Sequence, residues 1–167
     1  LTYILIKKLS IIIPVYNEES TIYQLLEKVN NLSHIENIIK EIIVINDCSK
    51  DNSKDEISRF IDEYSPINFF FINNSKNLGK GGSIKVAILQ ISGEYCIIQD
   101  ADLELNPFEI NDLLIPVIKN KADIVYGSRF INSKKKNVVL IYDNESKSSE
   151  IIKKISKNID DGFSVCI

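Results

Sequence analysis

The chain has 167 residues, 44% of them hydrophobic and 26% charged, with a formal net charge of −3. That length buries a real core in one domain, or in a domain with a small appendage, and the acidic balance argues against a dedicated nucleic-acid binder, which needs a basic excess to neutralise phosphates. No apolar run approaches the roughly 20 residues of a membrane-spanning helix, and the three scattered cysteines, Cys48, Cys96 and Cys166, lack CxxC spacing, which argues against a disulfide framework or zinc site and suits a reducing compartment.

Residues 10–15 are a short apolar run with Pro14 near its end, read as a buried parallel strand, apolar on both faces. After "YNEEST", Ile22, Leu25, Leu26, Val29 and Leu32 recur at helical spacing. A second strand is predicted at 41–47. Asp51, Asn52 and Ser53 then offer N-caps to a helix with Ile57, Phe60, Ile61 and Tyr64 on one face. A third strand follows at 67–73. "NLGKGGS" leads into a helix carrying Ile84, Ala87, Ile88 and Ile91, and a fourth strand runs over 94–100. Pro107 suits the first turn of another helix, with Leu113, Leu114, Val117 and Ile118 on one face and Pro116 inside, where it kinks or shortens the helix. A fifth strand is predicted at 122–128. Strand and helix alternate throughout, which predicts an α/β layered domain with a mostly parallel sheet and right-handed crossovers.

Beyond about Asn132 the pattern changes. A strand at 137–142, a helix over 147–159 with Ile151, Ile152, Ile155 and Ile159 on one face, and a strand at 163–167 make a βαβ-like segment. We expect a domain over 1–132 and a segment over 133–167 that is a diverged subdomain, a truncation or a junction. The absence of Met and the abrupt last strand favour a fragment or junction. Lys134, Lys135 and Lys136 read as a solvated loop, the single histidine, His34, reads as a surface residue, and no signal-peptide cleavage pattern is present.

In such sheets ligands bind beyond the carboxyl ends of the strands. Those ends carry Tyr16-Asn17-Glu18, Asn46-Asp47, Asn77 with Gly79 and Lys80, then Asp100, Asp102 and Glu104, and finally Gly127-Ser128-Arg129. The crowding in "IIQDADLELNP" is the sharpest feature, because three acids at alternate positions repel unless a cation sits among them. Hard divalent cations such as Mg²⁺ and Mn²⁺ take one or two carboxylates plus phosphates and water, so Asp100, Asp102 and Glu104 are candidate ligands; capping of the following helix is the plainer alternative. "NLGKGGS" is not a Walker A loop, since Asn74 stands where that loop needs its first glycine, but Lys80 could serve as a charge near a phosphate. GxGxxG is absent. Asp47 could accept from a nucleobase or form an Asx turn.

Taken together and in order, "IIIPVYNEES", "EIIVINDCSKDNS", "NLGKGGS", "GEYCIIQDADLELNP" and "ADIVYGSRF" resemble the family 2 glycosyltransferases of the GT-A fold. The likeness is greatest to the polyprenyl-phosphate, dolichyl-phosphate mannose synthase-like branch, and it covers roughly residues 9–131. The resemblance implies that Pro14, Tyr16 and Glu18 lie along the nucleotide and that Asp47 hydrogen-bonds its base, with Asn46 where such enzymes more often carry an acid. It implies a metal-binding DxD at Asp100, Ala101 and Asp102, a third metal position at Glu104, and an acceptor-phosphate contact at Arg129. The implied reaction is metal-assisted, inverting transfer of a sugar from a UDP- or GDP-sugar to a polyprenyl phosphate or glycan, with Mg²⁺ or Mn²⁺, in the cytoplasm or at the cytoplasmic face of a membrane. Asp102 and Arg129 are its catalytic residues. A lipid phosphate, whose second pKa is about 6, needs no general base, which fits a chain with one histidine. Two other readings remain: a nucleotide-sugar-binding unit that is catalytically incomplete, and a sugar nucleotidyltransferase. The latter usually has a Gly- and Arg-rich loop after its first strand, which "PVYNEES" lacks.

Overall fold

A computed structural model describes residues 8–33, 38–118, 124–125 and 141–142. Its centre is a four-stranded parallel sheet in the order β3-β2-β1-β4, built from β1 (Lys8–Val15), β2 (Ile39–Asn46), β3 (Phe69–Asn73) and β4 (Tyr95–Ile98). Helices α1 (Ile22–Asn30), α2 (Ser53–Tyr64) and α3 (Gly79–Ile88) connect them in turn. A 3₁₀ turn at Pro107–Glu109 enters α4, described over Ile110–Ile118, which contains Pro116. Beyond it, β5 (Ile124–Val125) pairs antiparallel with β6 (Ile141–Tyr142).

The sequence explains the layering. β1, β2 and β4 are near-continuous Ile/Val runs because side chains are buried on both faces. Alternation then sorts them. Ile11, Ile13, Val15, Ile42 and Val44 pack with Ile22, Leu25 and Leu26 of α1, Ile57 and Phe60 of α2, and Leu114 of α4. Ile12, Ile43, Ile45 and Ile98 pack with Ile84 and Ala87 of α3. A fully buried Ile contributes about 1.5–3 kcal/mol, so a one-residue slip of β1 against β2 would be opposed from both layers. β3 is the outer strand of the described sheet and correspondingly half-buried.

Several details differ from the sequence reading. The second strand begins at Ile39, and β4 stops at Ile98. Asn52 holds the N-cap position of α2 but its side chain makes no capping bond; Asp51 Oδ1 accepts instead from Ser53 N (3.0 Å) and Ser53 Oγ (2.5 Å). Of the fifth predicted strand only 124–125 are described, and β6 covers the end of the strand expected at 137–142. His34, Cys166, the helix over 147–159, the strand at 163–167 and Arg129 lie outside the described residues. No described helix is long and apolar enough to cross a membrane. Cys48 and Cys96 are free thiols, and burial pushes that of Cys96 up to about 12.

At the amino end of the sheet Glu41, 1% exposed, forms a closed clip. Its Oε1 accepts from Ser10 Oγ (2.8 Å) and Ser92 N (2.9 Å), and its Oε2 accepts from Ser92 Oγ and lies 3.5 Å from Lys8 Nζ. Gly93 N donates to Ser10 Oγ (3.0 Å). Burial works against ionisation of Glu41, but the hydrogen bonds from Ser92 and Ser10 and the charge of Lys8 outweigh it, holding the carboxyl below its ordinary value. This clip ties the α3–β4 loop to β1 and β2.

Candidate active site

The sheet order reverses at β1: β2 and β3 lie to one side of it and β4 to the other. A crevice is expected at the carboxyl ends on either side of such a switch point. A pocket opens there, and eight of the sequence-predicted residues line it. Pro14, Tyr16 and Glu18 come from the end of β1, Asp47 from β2, Lys80 from the first turn of α3, and Asp100, Ala101 and Asp102 from the segment after β4. Val15 and Ser83 complete the lining. Glu104 is not among the lining residues.

The β1 and β2 ends are locked together by reciprocal hydrogen bonds. Asn17 N donates to Ser49 Oγ (3.0 Å), while Lys50 N donates to Asn17 Oδ1 (2.8 Å). Glu18 N donates to Ser53 Oγ (2.7 Å), Glu19 N to Asp51 Oδ2 (3.0 Å) and Asn52 N to Glu19 Oε2 (2.8 Å). Burial opposes ionisation of Asp51, but bonds from Ser53 and Glu19 prevail and lower its pKa. The Glu18 carboxylate accepts from Thr21 Oγ1 (2.8 Å), which orients it at the entry to α1. Asn17 and Cys48 both adopt left-handed backbone (φ 57° and 59°), so each chain turns sharply as it leaves its strand.

Asp47 is the most informative residue of the site. It is 2% exposed. Its Oδ1 accepts from Asn74 Nδ2 (2.8 Å) and Leu78 N (2.9 Å), whereas its buried Oδ2 has no hydrogen-bond partner among the described residues. A buried acceptor left unmade costs about 1–3 kcal/mol, and on a residue of the pocket lining such an acceptor is suited to a ligand donor. Asn74 also donates to the buried Ser83 Oγ (3.2 Å), so Asn74 and Ser83 together position Asp47. Asn46 takes a different part: its Nδ2 donates to Asn73 Oδ1 (2.6 Å) and its Oδ1 accepts from Ser49 Oγ (2.5 Å), beside the pocket and not within its lining.

The three acids, at alternate positions in the sequence, follow β4 and are not carried on a strand. β4 has already ended at Ile98, and Leu103 sits at φ 62° in the middle of the acidic run, so the two-residue period is broken. Glu104 N donates to Asp102 Oδ1 (3.0 Å), a local turn bond. Beneath the turn, buried Gln99 donates from Nε2 to Asp100 O and Leu105 O (both 3.2 Å). The cation among the acids is Lys80, whose Nζ lies 2.7 Å from Asp100 Oδ1. Among the described residues no three acids, cysteines or histidines gather as a metal cluster. A magnesium-like ion does not require three, because one or two carboxylates complete its shell with phosphate and water. Asp100 and Asp102, both on the pocket wall, therefore fit a divalent cation, and the ammonium of Lys80 marks the position as one that takes positive charge.

Asn74, Ser83 and Gln99 were not singled out by the sequence reading. Gln99 had a signal, a polar residue between the apolar Ile97-Ile98 and the acids; Asn74 and Ser83 act only through chain distant in sequence. The loop "NLGKGGS" supplies Leu78 N to Asp47 and Lys80 to Asp100. Gly79, at φ 72°, makes the turn between these two contacts without the cost a side chain would add.

Comparison with known proteins identifies the family and the fold. The chain is 35% identical over 141 residues to a dolichyl-phosphate β-glucosyltransferase of Trichomonas vaginalis, covering 79% of this chain and 43% of that protein. It is 31% identical over 128 residues to a dolichol-phosphate mannosyltransferase of Pyrococcus furiosus, covering 77% and 35%. The chain thus spans less than half the length of these curated relatives. Among solved structures, it superposes on TarS residues 1–349 of S. aureus in complex with UDP with a TM-score of 0.59 at 25% identity, covering 70% of this chain and 34% of that one. A mannosyltransferase of Pyrobaculum calidifontis, in complex with GDP-Man and Mn²⁺, shares the fold at a TM-score of 0.59 and 18% identity, covering 76% and 38%. The glycosyl transferase family 2 profile matches residues 10–166, and the chain belongs to that family.

Proposed function

We propose that the chain carries the donor site of a transferase that moves a sugar from a uridine diphosphate sugar to a polyprenyl phosphate with inversion. The observation that carries this reading is Asp47, a residue of the pocket lining with one carboxylate oxygen satisfied twice over and the other buried and unpartnered among the described residues. Uracil offers one imide N–H flanked by carbonyls, which one free oxygen matches. Guanine offers two adjacent donors, which pair best with both oxygens of a carboxylate, and Oδ1 is already taken. The half-exposed Tyr16 and Pro14 line the same pocket and suit the flat base and ribose.

Asp100 and Asp102 would hold a divalent cation, Mg²⁺ or Mn²⁺, with Glu104 acting through its backbone N–H on Asp102. When bound, such an ion neutralises the departing diphosphate. The protein's own task is placement: Asp47 fixes the base, Lys80 supplies positive charge, and the buried Ala101 leaves room between the two aspartates. We assign Arg129 to the acceptor phosphate. That phosphate is an anionic nucleophile near neutral pH, with a second pKa of about 6, so no general base is required. The reaction would run at the cytoplasmic surface of a membrane, where a polyprenyl phosphate meets a nucleotide sugar. The relatives named for transfer to dolichyl phosphate support this acceptor class.

The test is a turnover assay with Mn²⁺ or Mg²⁺, a panel of UDP- and GDP-sugars, and polyprenyl phosphate. Transfer from a UDP-sugar is expected. Preference for a GDP-sugar would contradict the base assignment, and nucleotide binding without transfer would reduce the chain to a donor-binding unit.

A further inference from the structure

The Lys80–Asp100 contact has a consequence that goes beyond a charge placed near a phosphate. Lys80 Nζ stands 2.7 Å from an oxygen of the first aspartate of the DxD, and both residues line the pocket. The lysine side chain is 45% exposed and that of Asp100 is 17% exposed, so the ammonium can leave while the carboxylate stays on the wall. Lysine suits such a move: its charge is compact and sits on a flexible four-carbon stem. The backbone holds its root in place, because Gly79 opens α3 immediately before it and Asn77 Oδ1 accepts from Gly79 N (2.9 Å).

We propose that Lys80 is an exchangeable counter-ion, which neutralises Asp100 until a divalent cation takes that place and then passes to the nucleotide diphosphate. This rests on the donor-site reading above. A cation binding alone must displace Lys80 and leave its charge unpaired. A diphosphate binding alone must draw Lys80 away and leave Asp100 unpaired beside added negative charge. When both bind, the cation takes Asp100 and Lys80 takes the diphosphate, so neither binding step leaves Lys80 or Asp100 unpaired. Cation and nucleotide therefore raise each other's affinity by the same factor, as linkage requires, and Lys80 contributes part of that factor.

The proposal predicts opposite effects of one substitution. Lys80→Ala removes the competitor for Asp100, and with an exchanged ion pair of this partly exposed kind, Mn²⁺ alone should bind about threefold more tightly. The same variant loses a charge-assisted contact to the diphosphate, so UDP in saturating Mn²⁺ should bind about tenfold more weakly. The experiment is titration of the full chain with Mn²⁺ alone, read by loss of the free-ion paramagnetic resonance signal, and with UDP at saturating Mn²⁺, read by calorimetry. Lys76→Ala serves as the control, since it removes an equal charge from the same loop at a residue outside the pocket lining. Opposite shifts in Lys80→Ala, with neither in Lys76→Ala, are the expected result. If wild type binds UDP with Mn²⁺ but Lys80→Ala moves both affinities in the same direction, or moves neither, the exchange is overturned and the donor site stands. An equal rise in Mn²⁺ affinity in Lys76→Ala overturns it likewise. If wild type binds no UDP at any Mn²⁺ concentration, the donor-site reading falls and takes the exchange with it.

Discussion

Strand β2 carries a buried acid near its start and another just past its end, and the two have opposite fates. Glu41 is 1% exposed, and both its oxygens accept hydrogen bonds, with Lys8 nearby to balance its charge. Asp47 is 2% exposed, yet one of its oxygens is left without a partner among the described residues. Burial alone would not distinguish them. What does is satisfaction: the closed acid holds the fold together, and the half-open one is arranged for something the protein does not itself supply. The same contrast runs along the sheet, from a sealed amino end where Ser10, Ser92 and Gly93 interlock to an open carboxyl end where positive-φ turns at Asn17, Cys48 and Leu103 swing the chain away around a pocket.

The contrast can be broken at its closed end first. Glu41→Ala leaves the buried Ser10 hydroxyl without its acceptor, unties Ser92 and should cost about 2–3 kcal/mol of stability, measured by denaturant unfolding, while nucleotide affinity stays within twofold, about 0.4 kcal/mol. Gly93→Ala should cost about 1–3 kcal/mol, because a Cβ there would lie 2.7 Å from Ser10 Oγ and 2.8 Å from Lys8 O. Acid probes the same clip more gently. The folded-state pKa of Glu41 lies below its ordinary 4.5, so its contribution is present above that value and is lost as pH falls through the lower, folded one. Unfolding free energies measured from pH 7 down to 3 should therefore fall less steeply in Glu41→Gln than in wild type. A smaller effect is expected at Asn46, where Asn46→Asp should cost under about 1 kcal/mol: reversal of the Asn73 amide restores a donor to the new carboxylate. The double change Asn46→Asp, Asn73→Asp should be clearly worse, since no donor then remains between them.

Much of this was legible in the chain. The Ile/Val runs at 10–15 and 41–46 could only be strands buried on both faces, and their alternation with helical stripes predicted the layered sheet. The strand-end polar residues named the pocket wall, and six of them meet there: Tyr16, Glu18, Asp47, Lys80, Asp100 and Asp102. What escaped were facts about distance. Lys80 and Asp100 are 20 positions apart and pair only because α3 returns beneath the sheet to feed β4. Asn74 and Ser83 hold Asp47 from across the sheet edge in the same way. The shape of the acidic run was not legible for a local reason: a period of two holds only while the chain is extended, and Leu103 in the left-handed region, which sequence gives no reason to expect of a leucine, ends it. Glu104 consequently meets Asp102 through its backbone N–H.

The central claim is that the open oxygen of Asp47 is what the nucleotide binds, and Asp47→Asn tests it with nearly one atom. The amide oxygen can still accept from Asn74 and Leu78, so the fold is preserved, but the free acceptor becomes a donor. Calorimetric titration with UDP in Mn²⁺ should show affinity lowered about tenfold or more, with an unfolding midpoint close to wild type and GDP binding weakly to both proteins. Unchanged UDP affinity in Asp47→Asn, or GDP bound by wild type as tightly as UDP, would contradict the account.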